Sequence, residues 1–486
     1  MQLKKDDCFA FTAGATLLGG QIIAVREIGS TFFATEITAA AATLATVAGL
    51  SLGYGLANRL DPRSRKLWGA GSILFLSLIP VSIRLLVGLL AGFRIELAAA
   101  LFVGLGVPGL VSGWLATILP QLASDAKRLP RFYALESAGA LAMLVVFALS
   151  PGWRWTLVLF WAMLVYLAHQ AFHRRAATIT AAALAVALTA IYPSLDYNAS
   201  RLYYAGYHGL NGVTPITTEY SAFQRIDVVD SDEGRSLFLD GVPFFRSGDL
   251  TAFNSAIAEV PGILLPPEQR GKALVVGSGS FSSSSKLKRL GFDVTVVELD
   301  AAVARLGFDY FQDEHGLQPG DVTLVIDDAR RALRVLPENS FDLIALDIPA
   351  PFHLRTAMLY TPTFYELVAS RLKPEGIAAL SLCSYSWSGP VGGAIAASAA
   401  QAFGEIFVAS SDSVGLAFIY ASPKRLPFFP EAVPEAFKKL RLGRVESGSD
   451  PFVRERLDTL ERKPLSSRRL LPALTLARWQ LPRLHD

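Results

Sequence analysis

The chain has 486 residues, 52% of them hydrophobic and 18% charged, which is too long for one ordinary domain and too apolar for one wholly surrounded by water. Its formal net charge of +3, with Lys and Arg gathered in loops and in the C-terminal tail, gives nucleic-acid binding no support. Two cysteines far apart, Cys8 and Cys383, and six histidines without ligand spacing argue against a disulfide framework and against a metal site.

From Phe9 to about Ile191 the chain is a series of apolar stretches, each near the 20 residues a bilayer-crossing helix needs. The pattern predicts seven spans, at 8–28, 32–56, 68–91, 96–120, 132–150, 153–171 and 176–193, the first read as a helix rather than a cleaved signal. Basic residues fall at Lys4 and Lys5, at Arg59, Arg63, Arg65 and Lys66, at Lys127, Arg128 and Arg131, and at Arg174 and Arg175. With seven spans these clusters share one face, which the positive-inside rule makes cytoplasmic. The expectation is a multi-pass protein of the inner (plasma) membrane whose soluble part faces outward, to the periplasm of a Gram-negative cell; the alternative is that the mostly alanine seventh segment does not span and the soluble part stays inside. Arg26, Glu27, Glu36 and Glu96 are expected near helix ends, reaching the headgroups. Arg84 is placed nearer mid-span and paired with Glu136. The small residues of "ESAGALA" and "GLGVPGLVSGW" suit close helix packing.

After about Asn198 the composition becomes that of a soluble domain. "TEYSAFQRIDVVDSDEGRSLFLDGVPFF" alternates with turn residues and predicts a small antiparallel sheet. Then "KALVVGSG", "DVTVVELD", "VTLVIDD", "FDLIALDIP" and "GIAALSLCS" are apolar strands separated by helix-length stretches. That alternation implies a parallel sheet with ligands at the carboxyl ends of its strands. The domains expected are 1–195 (membrane), 196–262 (small β-domain), 263–426 (doubly wound α/β) and 427–486 (basic tail, taken to contact the membrane or a partner).

Three features line up in the order a nucleoside-binding sheet requires. Gly277 and Gly279 follow the first strand, where the lack of a side chain lets backbone approach a ligand. Glu298 ends the second strand and can accept from both ribose hydroxyls. Asp328 ends the third, where a carboxylate can accept from an adenine amino group. "SFSSSS" is read as a capping turn, Tyr360, Phe364 and Tyr365 as core aromatics, and His353 as a solvated loop residue.

With "EYSAFQRIDV", "VELD", "DDARRAL", "FDLIALD" and "LYTPTFYELVASRLKPEGIAAL" on the page, the soluble half resembles the spermidine synthase family, aminopropyltransferases with a methyltransferase-like sheet behind a small β-domain. The whole chain resembles its membrane-anchored bacterial members. The resemblance implies that Gln224, Gly277, Gly279, Glu298 and Asp328 line a pocket for decarboxylated S-adenosylmethionine or the related thioether methylthioadenosine, with Asp347 as the remaining catalytic acid.

The departures matter as much. The family's glycine turn contains an aspartate; here it is Gly277, Ser278, Gly279, Ser280, Phe281. The family's two-acid segment is here Asp347, Ile348, Pro349, Ala350, Pro351, and its Tyr-His-Glu aligns with Phe253, Asn254 and Ser255. An amine attacks a sulfonium-linked carbon only as a free base, so losing carboxylates argues against spermidine synthesis itself. Two readings remain: a transferase using an adenosyl sulfonium donor on a non-polyamine or membrane-presented acceptor, or a non-catalytic membrane subunit, a pseudoenzyme serving as a binding or assembly module. The partners implied are the lipid bilayer and either a membrane protein or a second copy of the chain.

Overall fold

The computed structural model describes residues 5–32, 36–91, 96–122, 128–150, 152–247, 251–351, 354–383, 387, 389–448, 450–459 and 463–466. His353, Lys127 and the side chains of Glu36 and Glu96 lie outside the described residues. These residues fall into two units, one of 5–233 with Leu239–Val242, the other of Gly234–Phe238 with 243–466.

The first unit begins with seven helices: α1 (Lys5–Phe32), α2 (Glu36–Leu56), α3 (Pro62–Leu90), α4 (Glu96–Leu122), α5 (Leu129–Leu149), α6 (Trp153–Phe172) and α7 (Arg175–Gly206). Six are long and apolar enough to cross a membrane, and α4 contributes a shorter apolar stretch, Phe102–Ile118, among the described residues. Two helix pairs are drawn together by glycines, as the small-residue runs predict. A Cβ added at Gly14 would lie 1.9 Å from the Glu136 carbonyl oxygen, and one at Gly139 1.9 Å from that of Phe11, so α1 and α5 touch backbone to backbone. Gly49 and Gly53 of α2 bear the same relation to the carbonyls of Gly109 and Gly113 on α4, each at 2.1 Å.

The seventh helix runs past the expected end at residue 193, through Pro193 to Gly206. The reason lies in its extension. Asp196, Ser200 and Tyr204 turn toward β2 (Arg225–Ser231), which forms an antiparallel pair with β1 (Thr214–Tyr220) in a sheet of order β1-β2-β3-β4 with β3 (Gly234–Leu239) and β4 (Val242–Arg246).

Arg84 is the correction that matters most. Its partner is Asp227 of β2, at 3.2 Å, with Ser30 carbonyl and Tyr204 hydroxyl also in reach, and not Glu136. Because α3 starts at Pro62, Arg84 stands 19 residues beyond Arg65, about 28 Å along the helix, at its far end rather than mid-span. Arg26 and Glu27 also turn inward instead of reaching headgroups. Arg26 donates to Ser221 carbonyl at 3.1 Å and stacks over Trp153, while Glu27 is buried. Asp227 further accepts from Tyr204 hydroxyl at 2.7 Å and from Arg225 Nε at 2.9 Å, and Arg225 also grips Asp196 at 2.8 Å and Ser200 at 2.8 Å. Burial opposes ionisation of Asp227, yet the guanidinium groups of Arg225 and Arg84 outweigh it and hold its carboxyl below its ordinary range.

The second unit is built on an eight-stranded sheet of order β12-β10-β11-β9-β8-β5-β6-β7. Strands β5 (Lys272–Val276), β6 (Asp293–Glu298), β7 (Thr323–Ile326), β8 (Phe341–Leu346) and β9 (Leu372–Ser381) run parallel; β10 (Glu405–Ser411), β11 (Leu416–Ser422) and β12 (Val445–Gly448) are antiparallel additions. Strands β5 and β8, apolar but for Lys272 and Asp342, are central and, Lys272 apart, buried on both faces, as central parallel strands are. Part of the expected tail belongs to this core: β12 pairs with β10, and Val433, Phe437, Val453 and Leu457 are buried.

Removing one partner from a buried ion pair leaves an uncompensated charge, so Arg84→Met should lower the stability of the full chain in detergent by about 3 kcal/mol. A double-mutant cycle of Arg84→Met with Asp227→Asn should give a coupling above about 1 kcal/mol, and one with Glu136→Gln essentially none. The reverse ranking would refute the pairing.

Candidate active site

The sheet order places four segments side by side at the carboxyl ends of adjacent parallel strands. From β8 to β7 they are Asp347, the turn at Gly277, Glu298, and the pair Asp327 and Asp328. Register fixes the row: Val276 is level with Leu346 on one side and Val297 on the other, Gly277 N–H donates to Val297 carbonyl at 2.8 Å, and Asp327 N–H donates to Glu298 carbonyl at 3.0 Å.

The glycine turn is held by close packing. Gly277 has φ +74°, and a Cβ there would lie 2.1 Å from the Asp347 carbonyl oxygen, so only glycine lets the turn rest against the end of β8. At Gly279 a Cβ would meet Val303 at 2.6 Å and the Phe244 ring at 3.1 Å. The helix after β6, Ala301–Tyr310, presses on the same turn: a Cβ at Gly307 would sit 1.4 Å from Gly279 carbonyl oxygen. Between the two glycines Ser278 adopts φ 148°, a conformation natural to glycine and costly for serine, and its hydroxyl lies 3.2 Å from that of Ser284.

The serine run forms the start of the helix Ser282–Arg289, with Ser282 to Ser285 all buried. Ser283 hydroxyl donates to Asp347 Oδ2 at 2.7 Å, and Asn254 Nδ2 reaches the same oxygen at 3.2 Å and Ser283 Oγ at 2.9 Å. Asp347 is 4% exposed, and burial lifts its carboxyl to about 6 despite these hydrogen bonds. Glu298, 9% exposed, is lifted to about 7, first by burial; its Oε1 accepts from Asp300 N–H at 3.0 Å. Asp328 is exposed and caps the helix Ala329–Val335, accepting from Arg330 N–H at 3.0 Å and Arg331 N–H at 3.3 Å.

The structure therefore brings together Gly277, Gly279, Glu298, Asp328 and Asp347. Gln224 belongs to the first unit, in the β1–β2 turn, where its N–H donates to Ser221 Oγ at 3.1 Å. Asn254, to which sequence reasoning assigned no role, and Ser283, expected in a capping turn, are the partners of Asp347; the helix that the serines open has no side-chain cap. Tyr360, Phe364 and Tyr365 are core aromatics, each at most 1% exposed.

The arrangement suits the nucleoside end of an adenosyl compound, with a side-chain-free turn at β5 and an acid at the end of β6. At the acceptor end it is poorer, since Ala350 supplies no carboxylate and Asp347 is enclosed by its own partners.

Both raised carboxyls bind protons in the folded state that the unfolded chain releases. Their contribution to stability is most favourable below about pH 4, falls as pH rises through about 6 for Asp347 and about 7 for Glu298, and stays low above that. For Asp347 the loss is on the order of 3 kcal/mol. The unfolding midpoint of the full chain should fall from pH 5 to pH 8, and Asp347→Asn, which keeps an acceptor for Ser283, should fall less; equal slopes would show that Asp347 ionises freely. Separately, Ser278→Gly should raise stability by about 1 kcal/mol by relieving its backbone.

Residues 250–385 match the family model described as spermine/spermidine synthase domain. A polyamine aminopropyltransferase of Clostridium botulinum is 32% identical over 164 residues, covering 33% of this chain and 56% of that protein. A spermidine synthase of Coffea arabica is 30% identical over 161 residues, covering 32% of this chain and 50% of that protein. The chain thus spans about half the length of these relatives. The crystal structure of spermidine synthase from Thermotoga maritima superposes with a TM-score of 0.42 at 21% identity, covering 50% of this chain and 88% of that one. Through residues 250–385, the chain is thus similar to the spermine/spermidine synthase domain.

Proposed function

We propose that this is a polytopic membrane protein whose second unit binds an adenosyl sulfonium or thioether and transfers an aminopropyl-type group to a non-polyamine or membrane-presented acceptor. The observation that carries this reading is the row of Asp347, Gly277, Glu298 and Asp328 on adjacent strand ends. Glu298 holds the ribose hydroxyls, the turn at Gly277 and Gly279 lets backbone approach the ligand, and Asp328 lies level with the base. A sulfonium donor supplies a carbon from which sulfur leaves as a neutral thioether. The acceptor nitrogen forms its new bond to that carbon with its own electron pair, and the proton it sheds goes to a carboxylate. Asp347, lifted to about 6, is ionised at neutral pH and accepts it.

A second reading, a non-catalytic binding or assembly module, is favoured by one observation: the Asp347 oxygen that would take the proton is already shared by Ser283 and Asn254.

The basic ends of the helices support the topology expected from their charge. Lys5, Arg65, Lys66 and His173 line one cavity, and Arg131 pairs with Asp7 at 2.6 Å, so the charged starts of α1, α3 and α5 and the end of α6 gather at one end of the first unit. With seven spans that end is cytoplasmic and the second unit lies outside.

Equilibrium dialysis of radiolabelled methylthioadenosine against the full chain in detergent tests the first reading. Binding weakened about tenfold or more by Glu298→Gln, with thioether release from decarboxylated S-adenosylmethionine in the presence of native membranes, supports the transferase. Binding without release supports the module, and no binding to wild type refutes both uses of the nucleoside site. Reporter fusions after Asp486 decide the side: alkaline phosphatase activity without green fluorescence places the second unit outside, where donor is not made, and turns the balance to the module.

A further inference from the structure

The cavity at the basic end of the first unit is assigned no role by the transferase or the module reading. It measures about 220 Å³ and is walled by four helix ends and one loop. Lys5 comes from the start of α1, Arg65 and Lys66 from the first turns of α3, and His173 from the turn between α6 and α7; Asp6 is the one acid. Its floor is apolar: Phe9 at 4% exposure and Trp114 at 1%, with Ile118 and Phe172 beside them. Trp114 is fixed from behind, since a Cβ at Gly69 would lie 2.4 Å from its indole.

Three full positive charges against one negative, above an aromatic floor, make a site for an anion that carries an apolar neighbour. Arg65 is held at the rim by donating to the carbonyls of Ala57 at 3.1 Å and Leu60 at 3.0 Å, so its guanidinium is placed rather than free to swing. The position along the bundle adds a second argument. From Arg65 to Arg84 is about 28 Å of α3 and from Arg175 to Asp196 about 32 Å of α7, each close to the roughly 30 Å thickness of a bilayer core. If the cluster around Asp227 marks one membrane surface, the cavity lies at the other, at headgroup depth. By the charge rule that surface is the cytoplasmic leaflet, where anionic lipids attract basic pockets between helices.

We propose that this cavity binds a phosphate-bearing anion through Lys5, Arg65 and Lys66, with the glycerol or acyl portion of an anionic phospholipid resting on Phe9 and Trp114. The proposal rests on the reading that the helices cross a bilayer, and is independent of what the second unit binds.

The full chain, purified in a neutral detergent, is titrated separately with dihexanoyl phosphatidylglycerol, dihexanoyl phosphatidylcholine and glycerol phosphate while its thermal unfolding midpoint is followed. The expected result is saturable stabilisation by phosphatidylglycerol at concentrations where phosphatidylcholine does nothing. Lys5→Gln with Lys66→Gln should raise the half-saturating concentration about 10- to 30-fold. Among the described residues neither lysine holds a backbone carbonyl in the way Arg65 does, so the unliganded midpoint of this variant should match wild type. Equal stabilisation by glycerol phosphate would keep the phosphate site and assign it to a soluble ligand instead of a lipid. Equal response to phosphatidylcholine, or an unchanged response in the double variant, would overturn the proposal. Should the double variant fold poorly, Trp114→Phe, which keeps the floor but trims the indole, reads the same site; a response identical to wild type for both lipids there, together with no loss in Lys66→Gln alone, would also overturn it.

Discussion

The carboxylate of Asp227 is shared by two buried guanidinium groups, Arg84 from α3 and Arg225 from its own strand, with Tyr204 hydroxyl as a further donor. Removing three such charges from water costs several kcal/mol each unless every one finds its counterpart. The first unit meets that demand by converging α1, α3, α7 and the β1–β2 pair on one point. Ser30 carbonyl accepts from Arg84, while Asp196 and Ser200 accept from Arg225. Hydrophobic helices slide easily against one another in a lipid-like setting; a buried charge network does not, even with Arg84 Nε left without a partner among the described residues. The glycine contacts at Gly14, Gly139, Gly49 and Gly53 bring pairs of helices close, but it is the network that ties the helix ends to the first strands.

The same physics, at lower charge density, governs the second unit. Glu298 and Asp347 stand at strand ends on either side of β5, each buried, each raised above the usual carboxylate range, with no arginine among the described residues to hold it ionised. A carboxyl kept near neutral pH is useful where a proton must be exchanged, whereas the clamped Asp227 can exchange none. The contrast separates structural from chemical acid within one chain. Ser278, carried in a glycine-like conformation between two glycines, fits a turn whose path is dictated by Gly277 against β8 and Gly307 against Gly279 rather than by its own preference.

Much of this was legible from residue order. Strands β5 to β8 announce themselves as short apolar runs ending in Gly277, Glu298, Asp328 and Asp347, because a central parallel strand is buried on both faces and its carboxyl end is where polarity resumes, while the edge strand β7 keeps the apolar run though it is partly exposed. The helices are legible because each is a long run of mostly apolar residues. Arg84 was misread because the pair it forms spans 143 positions, and no periodicity links α3 to β2. Taking the hydrophobic window of 68–91 as the span also moved it inward; the helix in fact begins at Pro62, and its first turn is polar. Asn254 and Ser283 were missed for a related reason. Each is unremarkable locally, and only the fold carries them to one oxygen of Asp347.

The polar ends of the helices then acquire different meanings. At one, acids and arginines balance: Asp196 and Asp227 against Arg84 and Arg225, all but Asp196 essentially excluded from solvent. Such a network is insensitive to salt and contributes rigidity. At the other, Lys5, Arg65 and Lys66 outnumber Asp6 around an open cavity, and like charges repel unless something negative comes between them. A chain that balances those four charged groups at one end of α3 gathers a net positive set at the other. On the reading that the helices cross a bilayer, the imbalance falls at the depth where α1 and α3 begin, and the negative charge that the surroundings offer there is phosphate.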